Sequence, residues 1–239
     1  MCNKENNLNS VLESFKGVTE IKDEKEKLSS LSSQFEAIAK DIIHGGCFEI
    51  NGVRRIYPLE IEFYYHEEGE NGLKDPVMYH TDDHEGKQLD YYPLGSINCH
   101  LSGIDVTFEN EEKQYRASFL VREYRVCEYE FGEWVEKKVR EQRPTYLYED
   151  MFMNIPLFDC IDVKWVNVAP INPAEDIFSK PRINVAEYER DNEGKFKKVE
   201  ISEDEYNKLL KDEKIDYFSY SGKKLKRCKR MWNYYVKKD

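Results

Sequence analysis

The 239-residue chain has no run approaching the roughly 20 consecutive apolar residues of a membrane helix. Its start, MCNKENN, lacks the apolar centre of a secretory signal. Six cysteines (2, 47, 99, 127, 160 and 228) form no CxxC pair and no regular framework. They read as reduced thiols, and a cytoplasmic protein is the expectation. There is no glycine-rich phosphate loop, no GxSxG elbow and no HExxH helix, so the commonest nucleotide-binding, serine-hydrolase and zinc-protease signatures are excluded. No internal repeat and no Ser/Gly-rich linker divides the chain.

What remains is enough for one sizeable core. Hydrophobic residues make up 40% and aromatics 13%, with 17 tyrosines. The formal net charge is −11, unevenly spread. Residues 222–239 hold eight Lys/Arg against one Asp, a net of +7, which leaves −18 on residues 1–221. A body that acidic repels phosphate backbones and favours a basic protein as partner. The basic stretch reads first as a solvated face, with a phosphate or acidic partner as the alternative.

Periodicity supplies the elements. Residues 1–25 are polar, without clear period, and are expected to be weakly ordered. Leu28, Leu31, Phe35, Ile38 and Ile42 step by three and four, predicting an amphipathic helix that His44-Gly45-Gly46 ends. Asn51-Gly52 between CFEI and VRRIYPLEIEFYY predicts a hairpin, because both turn residues need positive φ. On the second run Ile56, Leu59, Ile61, Phe63 and Tyr65 are expected on one face, with Glu60, Glu62 and Tyr64 on the other. Further strands are predicted at SINCHL, IDVTFEN, YRASFLVREYRVCEYE and WNYYV, and a second hairpin about residues 191–194. GEWVEKKVREQ fits hairpin or helix, residues 145–153 suggest a short helix, and Ser202 with Glu205 reads as a capping box. The sum is one α+β domain over 26–239, around a mostly antiparallel sheet with an N-terminal amphipathic helix.

Two clusters are chemically suggestive. His80 and His84 in HTDDH would suit a metal only on a helix, and Asp82-Asp83 reads as a polar loop, so no metal site is expected. Glu60 and Glu62 fit the polar side of a sheet. They also fit a pocket, because Arg122 lies inside the apolar run FLVREY, and a buried arginine needs a carboxylate.

RRIYPLEIEFYYHEEGENGLKDPVMYH resembles the active-site strand and loop of the alkyladenine (3-methyladenine) DNA glycosylases. EIEFY stands for the Glu-x-Glu-x-Tyr core and DPVMYH for the histidine segment; GSINCHLSGIDVTFEN, ASFLVREYRV and KPRINV resemble later segments in the same order. The resemblance implies a curved antiparallel sheet and hydrolysis of the bond between a flipped-out purine and its sugar, without metal or cofactor. It makes Glu62 the residue that activates water and Arg122 its neighbour, with Tyr64 and His80 lining the base pocket.

The departures carry information as well. The second pocket aromatic falls on Cys99 or His100, the duplex wedge on Ser102, and the selectivity asparagine on Glu109. With the acidic body they predict weak duplex binding. The leading reading is an N-glycosidic hydrolase acting on a modified purine in nucleic acid or a nucleoside. The alternative is a non-catalytic ligand- or protein-binding descendant, including an acidic DNA mimic.

Overall fold

The computed structural model describes residues 8–69, 71–75, 77–78, 80–100, 102–137, 143–152, 160–168, 176–183, 188–190, 196–198, 200–201, 218–221, 224–227 and 230–237. Its elements begin with helices α1 (Leu8–Glu13) and α2 (Glu24–Gly45), then strands β1 (Cys47–Ile50) and β2 (Arg54–Glu67). After the helical turn α3 (Asp82–Glu85) come β3 (Ile97–His100), β4 (Gly103–Thr107), β5 (Tyr115–Glu130), β6 (Glu133–Lys137) and α4 (Pro144–Phe152). Short strands follow: β7 (Val163–Val166), β8 (Ile177–Lys180), β9 (Tyr188–Arg190), β10 (Phe196–Lys198) and β11 (Glu200–Ile201). Last are β12 (Phe218–Ser221), β13 (Lys224–Arg227) and β14 (Asn233–Val236).

This is an α+β protein with a curled antiparallel half-barrel sheet. The long pair β2–β5 is its spine. β5 is flanked by β4 along one half and β6 along the other. β2 is flanked by β1 and β14, which continue to β7 and β8. The predicted second hairpin is β9–β10, and a separate small sheet runs β11-β13-β12. The proposed capping box at Ser202 and its helix lie outside the described residues.

Asp23 caps α2, its side chain accepting from the Glu26 amide. The apolar stripe Leu31, Phe35, Ile38 and Ile42 is fully buried on the sheet. Phe35 stacks on Phe63 at 4.4 Å, while Trp232 meets Phe35 edge-on at 5.2 Å.

Three expectations need correction. Residues 8–25 are not a loose polar leader: Leu8, Val11, Leu12, Phe15 and Val18 are buried in the core, and Phe15 stacks on Phe35 at 5.5 Å. Their apolar side chains cover the part of the core that α2 alone leaves open. Asp82–Glu85 form a helical turn rather than a loop, held by Glu85 N–H to the Thr81 carbonyl and Gly86 N–H to that of Asp82. Leu59 does not continue the buried row: it is half-buried and unpaired, while Ile56, Ile61, Phe63 and Tyr65 are buried.

Truncating the ring at the centre of the aromatic stack tests this core. Phe35→Ala is expected to lower unfolding free energy by about 3–5 kcal/mol, read by urea denaturation. A loss below about 1 kcal/mol would contradict the packing described.

Candidate functional site

The site begins with two irregularities in the spine. Between Pro58↔Tyr124 and Glu60↔Glu123, Leu59 is unpaired; between Glu60↔Glu123 and Ile61↔Val121, Arg122 is unpaired. Each extra residue reverses the alternation of its strand, so the two cancel. The core face stays continuous through Ile56, Ile61 and Phe63 on β2 and through Val126, Tyr124, Val121 and Phe119 on β5. The other face carries Tyr57, Glu60, Glu62 and Tyr64 together. The price of the break is a residue out of register, and that residue is Arg122.

Glu62 is 0% exposed. Its Oε1 accepts from Tyr64 Oη at 2.5 Å and from Arg122 Nη2 at 2.5 Å. Its Oε2 accepts from the Ile183 amide at 2.6 Å and from Asn233 Nδ2 at 3.1 Å. Arg122 Nη2 also donates to the Ile183 carbonyl at 2.9 Å. Burial opposes the charge on Arg122, but the Glu62 carboxylate and Tyr64 outweigh it and raise its pKa. Burial, followed by the Glu62 charge, holds the Tyr64 hydroxyl well above its ordinary value. Tyr64 is therefore a protonated donor to Glu62.

Neighbouring pairs brace this centre. Asn233 Nδ2 also donates to Glu60 Oε1 at 2.8 Å, and Lys180 Nζ reaches Glu60 Oε2 at 2.7 Å. Asp75 takes both Arg182 Nη1 and Nη2, at 2.6 and 3.0 Å. The Arg182 guanidinium lies 5.1 Å from the Tyr64 ring centre and 5.4 Å from that of Trp232. Since Ile183 follows Arg182, this buried fork fixes the backbone that touches both Glu62 and Arg122.

The structure thus brings Glu62, Tyr64 and Arg122 together. His80 belongs to a different cluster: its Nε2 pairs with Glu109, which also meets Arg116 Nη1 at 3.2 Å. Fully buried Arg116 further binds Glu68 at 2.5 Å and Asp82 at 3.0 Å. Of Cys99 and His100, only His100 shares the face of Glu62, through the register His100↔Gly103 and Asp105↔Leu120↔Glu62. His100 Nε2 lies 3.3 Å from Asp105, while Cys99 is exposed and pairs with core-side Ile104. Ile183, Asn233, Asp75 and Arg182 are added to the site by the structure. Ile183 acts through its backbone and has no side-chain signature; the bidentate Asp75–Arg182 pair joins segments 107 residues apart.

Comparisons with family models, with curated proteins and with solved structures find no match to this chain.

The carboxylates of these braces set an acid limit. Burial disfavours ionised Glu68, but hydrogen bonds from His66 and Arg116 outweigh it and pull its pKa down to about 2. Burial likewise opposes ionisation of Asp75, and the charges of Arg182 and Arg230 overcome it, for a net lowering. Depressed folded pKa values stabilise above the ordinary carboxylate range and stop doing so as pH falls through them. The urea midpoint is therefore expected to be flat between about pH 7 and 5 and to drop between about 4 and 2. Asp75→Asn should reduce that drop; a midpoint that rises on acidification would contradict the pairing.

Proposed function

We propose that the protein is an N-glycosidic bond hydrolase, a divergent relative of the alkyladenine DNA glycosylases, that removes a modified or damaged purine by water attack assisted by Glu62. The observation that supports this most is the convergence of Glu62, Tyr64 and Arg122 with Ile183 at one buried carboxylate. These residues come from the EIEFY, FLVREY and PRINV segments on which the resemblance rests. A carboxylate paired with Arg122 can take a proton from water and face the oxocarbenium-like sugar left as the base departs. The Asn233 contact is the longest of the four on Glu62, and its donor is shared with Glu60, so an attacking water displaces it at least cost.

One feature favours a second reading. A carboxylate offers about four acceptor positions, and four donors already hold Glu62. A group saturated in this way also suits a structural hub in a non-catalytic binding protein.

The two readings part in a base-release assay. Wild type, Glu62→Gln and Glu60→Gln are incubated with methylated duplex, methylated single strands and modified nucleosides, and free base is measured. Wild type is expected to release base, Glu62→Gln to lose about 10²–10⁴-fold, and Glu60→Gln to lose much less. Glu62→Gln turns amide hydrogens towards a donor, so its unfolding free energy should fall by about 3–5 kcal/mol. Rates are accordingly compared where circular dichroism shows the variant folded. Equal release by Glu62→Gln removes Glu62 from the chemistry, and no release by wild type from any substrate supports the second reading.

A further inference from the structure

The hairpin joining β5 to β6 ends in Phe131-Gly132, with Glu130 opposite Glu133. Phe131 has φ 52° and Gly132 φ 93°. The turn between β1 and β2 has similar positive φ values, 50° and 68°, and there the residues are Asn51-Gly52. Asparagine tolerates that left-handed geometry; phenylalanine does so only under strain. Phe131 gains nothing from packing in return, since it is fully exposed at 106%. A strained residue that buries nothing in the free protein points to a bound state.

Phe131 is not alone. Tyr129, also exposed, lies with its ring 5.2 Å from that of Trp134 and inclined to it by 55°, and the Arg55 guanidinium lies 4.0 Å from the Trp134 ring centre. The strand register puts Tyr129, Trp134, Arg55 and half-buried Tyr57 on the same side of the sheet as Glu62. Arg55 and Glu62 are seven residues apart on β2, roughly 20 Å along the strand. Among the described residues most cations on this face lie against carboxylates: Arg55 and Lys164 share Glu49 at 2.8 and 3.1 Å, Arg125 meets Glu136 at 3.2 Å and Lys180 meets Glu60 at 2.7 Å. Flat aromatic and guanidinium planes are thus offered with little free positive charge. Such a surface suits π-faces of unpaired bases better than the phosphates of a duplex.

We propose that Phe131, Tyr129, Trp134 and Arg55 form a stacking platform for unpaired nucleobases, which leads a single strand along this face to Glu62. The choice of nucleic acid as ligand rests on the function proposed above, but binding is measured without any chemistry. Stacking rather than charge drives the association, so its salt dependence is shallow.

The full chain is titrated into a fluorescein-labelled oligothymidylate of about 12 nucleotides, and into a duplex of the same length, by anisotropy at two salt concentrations. The single strand is expected to bind more tightly than the duplex and to quench tryptophan fluorescence. Trp134→Ala and Phe131→Asn should each weaken it by roughly 5- to 100-fold. Phe131→Asn should also raise the Tm, because asparagine relieves the turn, so a weaker complex cannot be ascribed to unfolding. No saturable single-strand binding up to about 1 mM, or wild-type affinity in Phe131→Asn, overturns the proposal. So does concentration-dependent dimerisation that Phe131→Asn abolishes without any oligonucleotide binding, which would assign the tip to contacts between copies. If the strand binds but no base is released, the platform stands and the hydrolase reading falls.

Discussion

A carboxylate with no solvent exposure has to be compensated where it sits, and Glu62 sets that requirement at the centre of the sheet. Much of the surrounding irregularity is the compensation. Arg122 leaves the β2–β5 register to reach Oε1, Asn233 on β14 turns its amide to Oε2, and the chain at Ile183 presents its N–H. Arg182, one residue earlier, then needs an anion of its own and finds it in Asp75. Burying one charge has recruited four separate segments of the chain.

The paired bulges show how such a site coexists with a regular core. Without the extra residue in β2, plain alternation from Ile56 would turn Ile61, Phe63 and Tyr65 out of the apolar face and Glu62 into it. The extra residue in β5 makes the matching shift between Tyr124 and Val121, so both strands keep their apolar faces against α2. The irregularity gives Arg122 its reach on the polar side.

Much of this was legible in the residues and some was not. α2, the β1–β2 hairpin, β3 to β5 and β14 follow from periods of 3.6 and 2 and from Asn51-Gly52. The break between Ile56 and Ile61 was visible as odd spacing, but Leu59 sits where a core residue could, and nothing local marks it as the unpaired one. β7 and β8 are four-residue strands without alternation that stand out, and they form only because β1 and β14 offer them edges. At the site, the meeting of Arg122 with a strand glutamate followed from the cost of an arginine in an apolar run, and the resemblance singled out Glu62. His80 did not join them, because it pairs with Glu109, which Arg116 holds in a separate cluster. Residues 8–18 were masked by the polar ones between them, although their apolar positions are the ones the core takes up.

The balance of charge ties these threads together. Arg54, Arg55, Arg116, Arg122 and Arg182 are each engaged by a carboxylate, and Arg116 by three. Guanidiniums spent on internal pairs cannot neutralise phosphates, and the chain as a whole carries a net charge of −11. Outside the basic stretch 222–239, affinity for a polyanion must then come from somewhere other than counterion release. Planar groups are free of that constraint, and on the Glu62 face Tyr129 and Trp134 offer them at the far end of the strands that hold the buried carboxylate, beside the exposed turn residue Phe131. On the function proposed above, an acidic protein of this construction recognises bases by their faces and not by their backbone.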